Sequence, residues 1–158
     1  MPHRLTWLAI VLTFVFLAPG EFIGYVCAYL YKILVAGWAF HGDTVFDALT
    51  RGWFSRLGLD GISSLAQGMI AGFLAAVFCA RITRIADFRI VAYANAAAVV
   101  AFTALAWVGN YPYMGTQING FALLSNTAGL VFGLIIAAEH IREKQGDNPA
   151  AAKPAAKS

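Results

Sequence analysis

Three stretches without a single charged residue, Ile62 to Ala80, Ile90 to Val108 and Phe121 to Ala138, limit what this chain can become. Each comes close to the roughly 20 apolar residues that an α-helix needs to cross a hydrocarbon layer about 30 Å thick. Such a layer offers no water to unpaired backbone groups, so each segment must close its own hydrogen bonds as a helix. The rest of the composition agrees. Of 158 residues, 60% are hydrophobic and 12% charged, against about 25% charged in soluble domains. The fold class that follows is all-α and integral to a membrane.

The connections give a topology. Between the first two blocks, Arg81, Arg84 and Arg89 crowd into one short loop, whereas Asn110 to Asn119 carries no charge. Short loops rich in Lys and Arg stay on the cytoplasmic side. The arginine loop is therefore expected inside, the neutral loop outside, and the tail with Arg142, Lys144, Lys153 and Lys157 inside again. The net charge of +3 is absorbed by this pattern, because the basic residues mark block ends and form no stripe for nucleic acid. Residues 145–158, ending in an Ala/Pro/Lys run, have nothing to bury and are expected to form a disordered cytoplasmic tail.

The amino-terminal region is harder to place. Leu5 to Ala18 is too short to cross alone and runs straight into Pro19-Gly20-Glu21, while Phe22 to Phe40 is long enough but contains Lys32. The favoured reading is one long first helix over about 5–40, kinked at Pro19-Gly20. A cleaved signal peptide competes, but Pro19 directly after Leu17-Ala18 suits no small-x-small cleavage site. The expected spans are then 5–40, 62–80, 90–108 and 121–138, a four-transmembrane-helix bundle over 1–144 with both termini cytoplasmic. Its short loops suit a bacterial inner membrane.

Two further patterns bear on assembly. Val45, Phe46, Leu49, Trp53 and Leu57 recur at helical spacing, with Asp43 at a capping position, which predicts an amphipathic interfacial helix over about 44–58. Small residues recur every fourth position in the second span (Ser64, Gly68, Gly72, Ala76, Ala80) and in the fourth (Ser125, Gly129, Gly133, Ala137). In lipid, where apolar attraction between helices vanishes, such rows bring backbones into contact. The first helix has a comparable row in Gly20, Gly24, Ala28 and Ala36, broken by Lys32. This packing surface serves either the monomer or a homo-oligomer or membrane-protein partner.

Strongly polar side chains within spans are few: Glu21, Lys32, Gln67, Asn95 and Asn126. Glu21 and Lys32 lie on nearly one face but about 16 Å apart along the axis, too far to pair. The favoured placement puts the Pro-Gly break near the cytoplasmic interface, with Glu21 reaching water and Lys32 snorkelling along its stem. The alternative sinks the break deep and makes a polar pocket of the kind that binds ions or protons. Gln67 and Asn126 fall at similar depths and can share a layer, whereas Asn95 lies nearer the inner face. Cys27 and Cys79 read as small buried hydrophobes.

No Ser/His/Asp set, HExxH, GxGxxG or Walker pattern occurs, so no catalytic residue, metal or cofactor is assigned. His3, His41 and His140 fall at helix ends, which disfavours a bis-histidine haem. Two functions fit: an accessory or assembly subunit packing against other membrane proteins, and a small oligomeric transporter or channel using Glu21 and Lys32 near the helix break. An enzyme acting on a lipid or quinone ranks below both, since the loop arginines are explained by topology.

Overall fold

The computed structural model describes residues 2–39, 60–85, 87–110 and 120–146. The expected interfacial helix at 44–58, the neutral loop and the chain beyond 146 lie outside the described residues. Among the described residues there are four helices, α1 (Pro2–Ala39), α2 (Ser63–Thr83), α3 (Arg89–Gly109) and α4 (Gly120–Gly146), and no strand. Each contains a segment long and apolar enough to cross a membrane: Arg4–Leu34, Asp60–Thr83, Arg89–Gly109 and Gly120–Lys144.

Local chemistry sets the helix ends. Arg84 adopts a left-handed conformation (φ 50°) and donates its N–H to the Ala80 carbonyl at 2.9 Å, closing α2. Asp87 Oδ1 accepts the Arg89 backbone N–H at 3.1 Å and so satisfies one of the free donors at the start of α3. At the other end of α3, the Asn110 side chain and backbone N–H both donate to the Ala106 carbonyl, at 2.8 and 3.1 Å. Inside the helices, Thr13, Thr83, Asn95 and Thr127 each bond to the carbonyl four residues earlier. That is how an isolated polar side chain is made tolerable in lipid.

The most extensive interface joins α2 and α4, followed by α1 against α2; α3 rests on α4 and more lightly on α1. Gly68 faces Asn126 and Leu130 while Gly72 faces Leu130 and Leu134, so α2 and α4 run parallel. Gly20 meets Ala71 and Gly24 meets Gln67, which makes α1 antiparallel to α2. Gly129 and Gly133 sit in turn on the backbones of Leu65, Met69 and Phe73. A Cβ at Gly72 would stand 2.5 Å from the Leu130 carbonyl oxygen, and one at Gly24 2.5 Å from that of Gln67. No side chain fits there, so glycine is what permits these crossings.

Leu17, Ala71, Ala75, Val99 and Leu130 form one apolar knot drawn from all four helices. A second, alanine-rich cluster that includes Ala9, Ala76, Cys79, Ala92, Leu134 and Ala138 fills the half toward Arg81 and Arg89, here called the arginine end. The outer surface is apolar too: Trp7, Phe22 and Leu105 are each 69% exposed and Val108 75%. Such a surface suits lipid, not water.

Two expectations change. Cys79 is buried, but Cys27 is exposed on α1, because the contact face of that helix is set by Gly20, Gly24 and Ala28, and Cys27 is turned away from it. Pro19-Gly20, inside a continuous α1, is also not near the arginine end. With Gly20 against Ala71 and Cys79 donating to the Ala9 carbonyl, Pro19 lies level with the middle of α2, because the half of α1 before it already packs inside the bundle.

Candidate functional site: a polar layer across the bundle

Glu21 projects from α1 between Gly20 and Gly24, the two residues that let α1 lie directly on the α2 backbone. Its carboxylate accepts a hydrogen bond from Gln67 Nε2 at 2.7 Å on one oxygen and from Asn126 Nδ2 at 3.1 Å on the other. Gln67 and Asn126, which the sequence places at one depth, therefore meet through Glu21. Beside them, the Thr103 and Thr127 hydroxyls bond at 2.8 Å, and Thr127 also donates to the Leu123 carbonyl. All four helices thus contribute to one polar layer.

The layer is half-buried, roughly 10 Å along α2 from Asp60 and about 20 Å from Arg81. Toward the arginine end it is closed by the Leu17, Ala71, Ala75, Val99 and Leu130 knot, with Phe16 packed against it. Beyond that knot lies Asn95, 0% exposed, whose amide donates to the Val91 carbonyl at 2.9 Å and whose Oδ1 has no hydrogen-bond partner. Asn95 does not join the Glu21 layer.

The ion pairs among the described residues lie elsewhere. Lys32 Nζ lies 2.8 Å from Asp60 Oδ1, near the end of the bundle opposite the arginines. Arg89 binds Glu139 side-on through Nε and Nη2, at 3.1 and 3.2 Å, and Arg142 reaches the same carboxylate at 2.9 Å. Among the described residues, no cation contacts Glu21. Its partners are neutral amides, and Asn126 Oδ1, turned toward Gly68, is buried without a hydrogen-bond partner.

No group of three His, Cys, Asp or Glu among the described residues converges as a metal site. A groove between α2 and α4, lined by Met69, Ile70, Phe73, Leu74, Gly133 and Ile136, is wholly apolar.

The sequence shows Glu21, Gln67 and Asn126 but not their meeting. The signal that finds it is register: laying the Gly20/Gly24 row of α1 on α2 sets Glu21 opposite Gln67. The Lys32–Asp60 pair is missed for a different reason, because Asp60 precedes the apolar block and counts as loop. Comparison with protein-family models, with curated proteins and with solved structures finds no match.

Proposed function

We propose that this multi-pass membrane protein is a small transporter or channel in which the Glu21, Gln67 and Asn126 layer is the site through which a small cation, or a solute moving with one, must pass. The observation that carries this reading is a half-buried carboxylate within an apolar bundle, with no cationic partner among the described residues. An ionisable group in a span is expensive enough to mark a pathway or relay by default. A bend of α1 at Pro19-Gly20, directly before Glu21, would give the layer a hinge, since proline supplies no N–H to the preceding turn.

The reading includes the finer topology: both termini in the cytoplasm, the arginine end inside, a bacterial inner membrane, and residues 44–58 lying as an interfacial helix over the outer mouth. Lys32 and Asp60 would then stand at the outer entrance.

The accessory reading rested on surplus small-residue surface. The rows of α1, α2 and α4 face one another within the monomer, which weakens that motive. One strip favours a partner: Ala97, Ala101 and Ala104 line an exposed face of α3, which suits a second copy of the chain or another membrane helix.

Reconstitution into liposomes with an internal pH or cation reporter tests the proposal. Wild-type protein is expected to give flux, Glu21→Gln to abolish it, and Glu139→Gln to preserve it. Equal flux in wild type and Glu21→Gln, or none in either, would transfer the case to the accessory reading.

A further inference from the structure

We infer that the species taken up at Glu21 is a proton, and that the layer is built to hold the carboxyl group in both its charged and its neutral form. This deepens the transport reading by naming what binds, and it can be tested without measuring flux.

The polarity of the layer makes the distinction. A bound metal cation is stabilised by several converging oxygens. Here the groups turned toward the carboxylate are the amide N–H donors of Gln67 and Asn126, and a donor repels a cation. The spare oxygen is Asn126 Oδ1. The Thr103 and Thr127 hydroxyls are committed to each other and to the Leu123 carbonyl. One carboxylate and one amide oxygen make a poor cage for sodium or potassium, whereas a proton needs a single oxygen.

Charge balance agrees. On α2 the side chain facing Glu21 is Gln67, on α4 it is Asn126, and α3 offers the Thr103 hydroxyl bound to Thr127; none of these titrates. The nearest charge on α1 toward Asp60 is Lys32, about 16 Å along the axis, and it is held by Asp60. An isolated carboxylate in apolar surroundings sheds its charge most readily by protonation. Hydronium delivers one proton to a carboxylate oxygen and leaves as water. The two amides stabilise the charged form before that step, and the neutral carboxyl keeps its carbonyl oxygen to accept from them after it.

A hydrophobic carbodiimide reads this state directly. A protonated carboxyl in an apolar site adds across a C=N bond of the reagent: its oxygen bonds to the central carbon and its proton moves to nitrogen. The acyl group then migrates to nitrogen as a stable N-acylurea, and nothing leaves. The full-length protein in liposomes is treated across a pH series in sodium chloride or choline chloride of equal strength, then mapped by mass spectrometry.

The expected result is one adduct on the Glu21 peptide, falling about tenfold for each pH unit above its midpoint, as one proton dictates. It is identical in the two salts and absent in Glu21→Gln. Suppression by sodium would overturn the inference in favour of an alkali cation, and an unlabelled but recovered Glu21 peptide at every pH would overturn it outright. Labelling without flux would retain the proton site and reject transport, and flux without labelling the reverse.

Discussion

Glu21 and Glu139 are two carboxylates of one bundle solved in opposite ways. Glu139, at the arginine end, is gripped by Arg89 and Arg142 and remains over one-third exposed. Its charge is matched and water is near, so it does what ion pairs at helix ends commonly do, which is to fix orientation at little energetic gain. Glu21 sits about 20 Å deeper along the helices and is held by two amides, with no positive charge in contact among the described residues. Neutral donors can hold an anion without fixing its protonation state, as an arginine would. A carboxylate free to change charge is useful where a locked one is not.

The most damaging way to break this contrast is Glu21→Lys. It would set an ammonium against two amide N–H groups in the middle of a span, where a lysine costs about 3 kcal/mol even by the more lenient insertion scales. Thermal unfolding in detergent should show a drop of that order and a loss of monodisperse protein. Glu139→Lys, at the half-exposed arginine end, should change the unfolding curve far less. Similar losses at both positions would mean that the two environments are not different in kind.

Next in size is Gly68→Leu. A Cβ at Gly68 would strike the Asn126 backbone and come within 2.8 Å of Asn126 Oδ1, so the larger side chain must push α4 off α2 and carry Asn126 away from Glu21. Overpacking of this kind costs about 1–3 kcal/mol. Unfolding should register it, and carbodiimide labelling of Glu21 should change its pH profile in the same variant. A stability loss with an unchanged profile would separate the helix crossing from the layer.

These two sites also mark the reach of the sequence. The spans were legible because charge-free runs of membrane length admit few folds. The rows at Gly68 and Gly129 were legible because a fourfold spacing of small residues is a local pattern. Which rows face each other is not local, and the glycine rows alone fit a monomer or an oligomer equally well. The depth of Glu21 was lost through register. A break near the cytoplasmic interface leaves Phe22 to Phe40 as the crossing part, but Ala9 lies against Cys79 and Gly20 against Ala71, so the half before the break is inside the bundle. Cys27 was misjudged on the same helix, since its exposure follows from which face α1 turns to α2.

A smaller effect tests whether charge or mere polarity matters at the two carboxylates. Glu21→Gln keeps the shape of the layer, removes the negative charge and turns one of the two accepting oxygens into an NH2 donor, so stability should fall by about 1 kcal/mol. A large gain or loss on unfolding would show that the carboxylate serves the fold itself.

The smallest expected effect concerns the least conspicuous members of the layer. Thr103→Val removes one partner of the 2.8 Å bond to Thr127, and interhelical bonds of this type in membranes average about 0.6 kcal/mol. The Thr127 hydroxyl keeps the Leu123 carbonyl as an acceptor, so no donor is orphaned and the loss should stay near that average by unfolding. Labelling at Glu21 should keep its pH profile, because neither threonine touches the carboxylate. A shifted profile in Thr103→Val would mean that α3, which joins the layer only through Thr127, takes part in the protonation of Glu21.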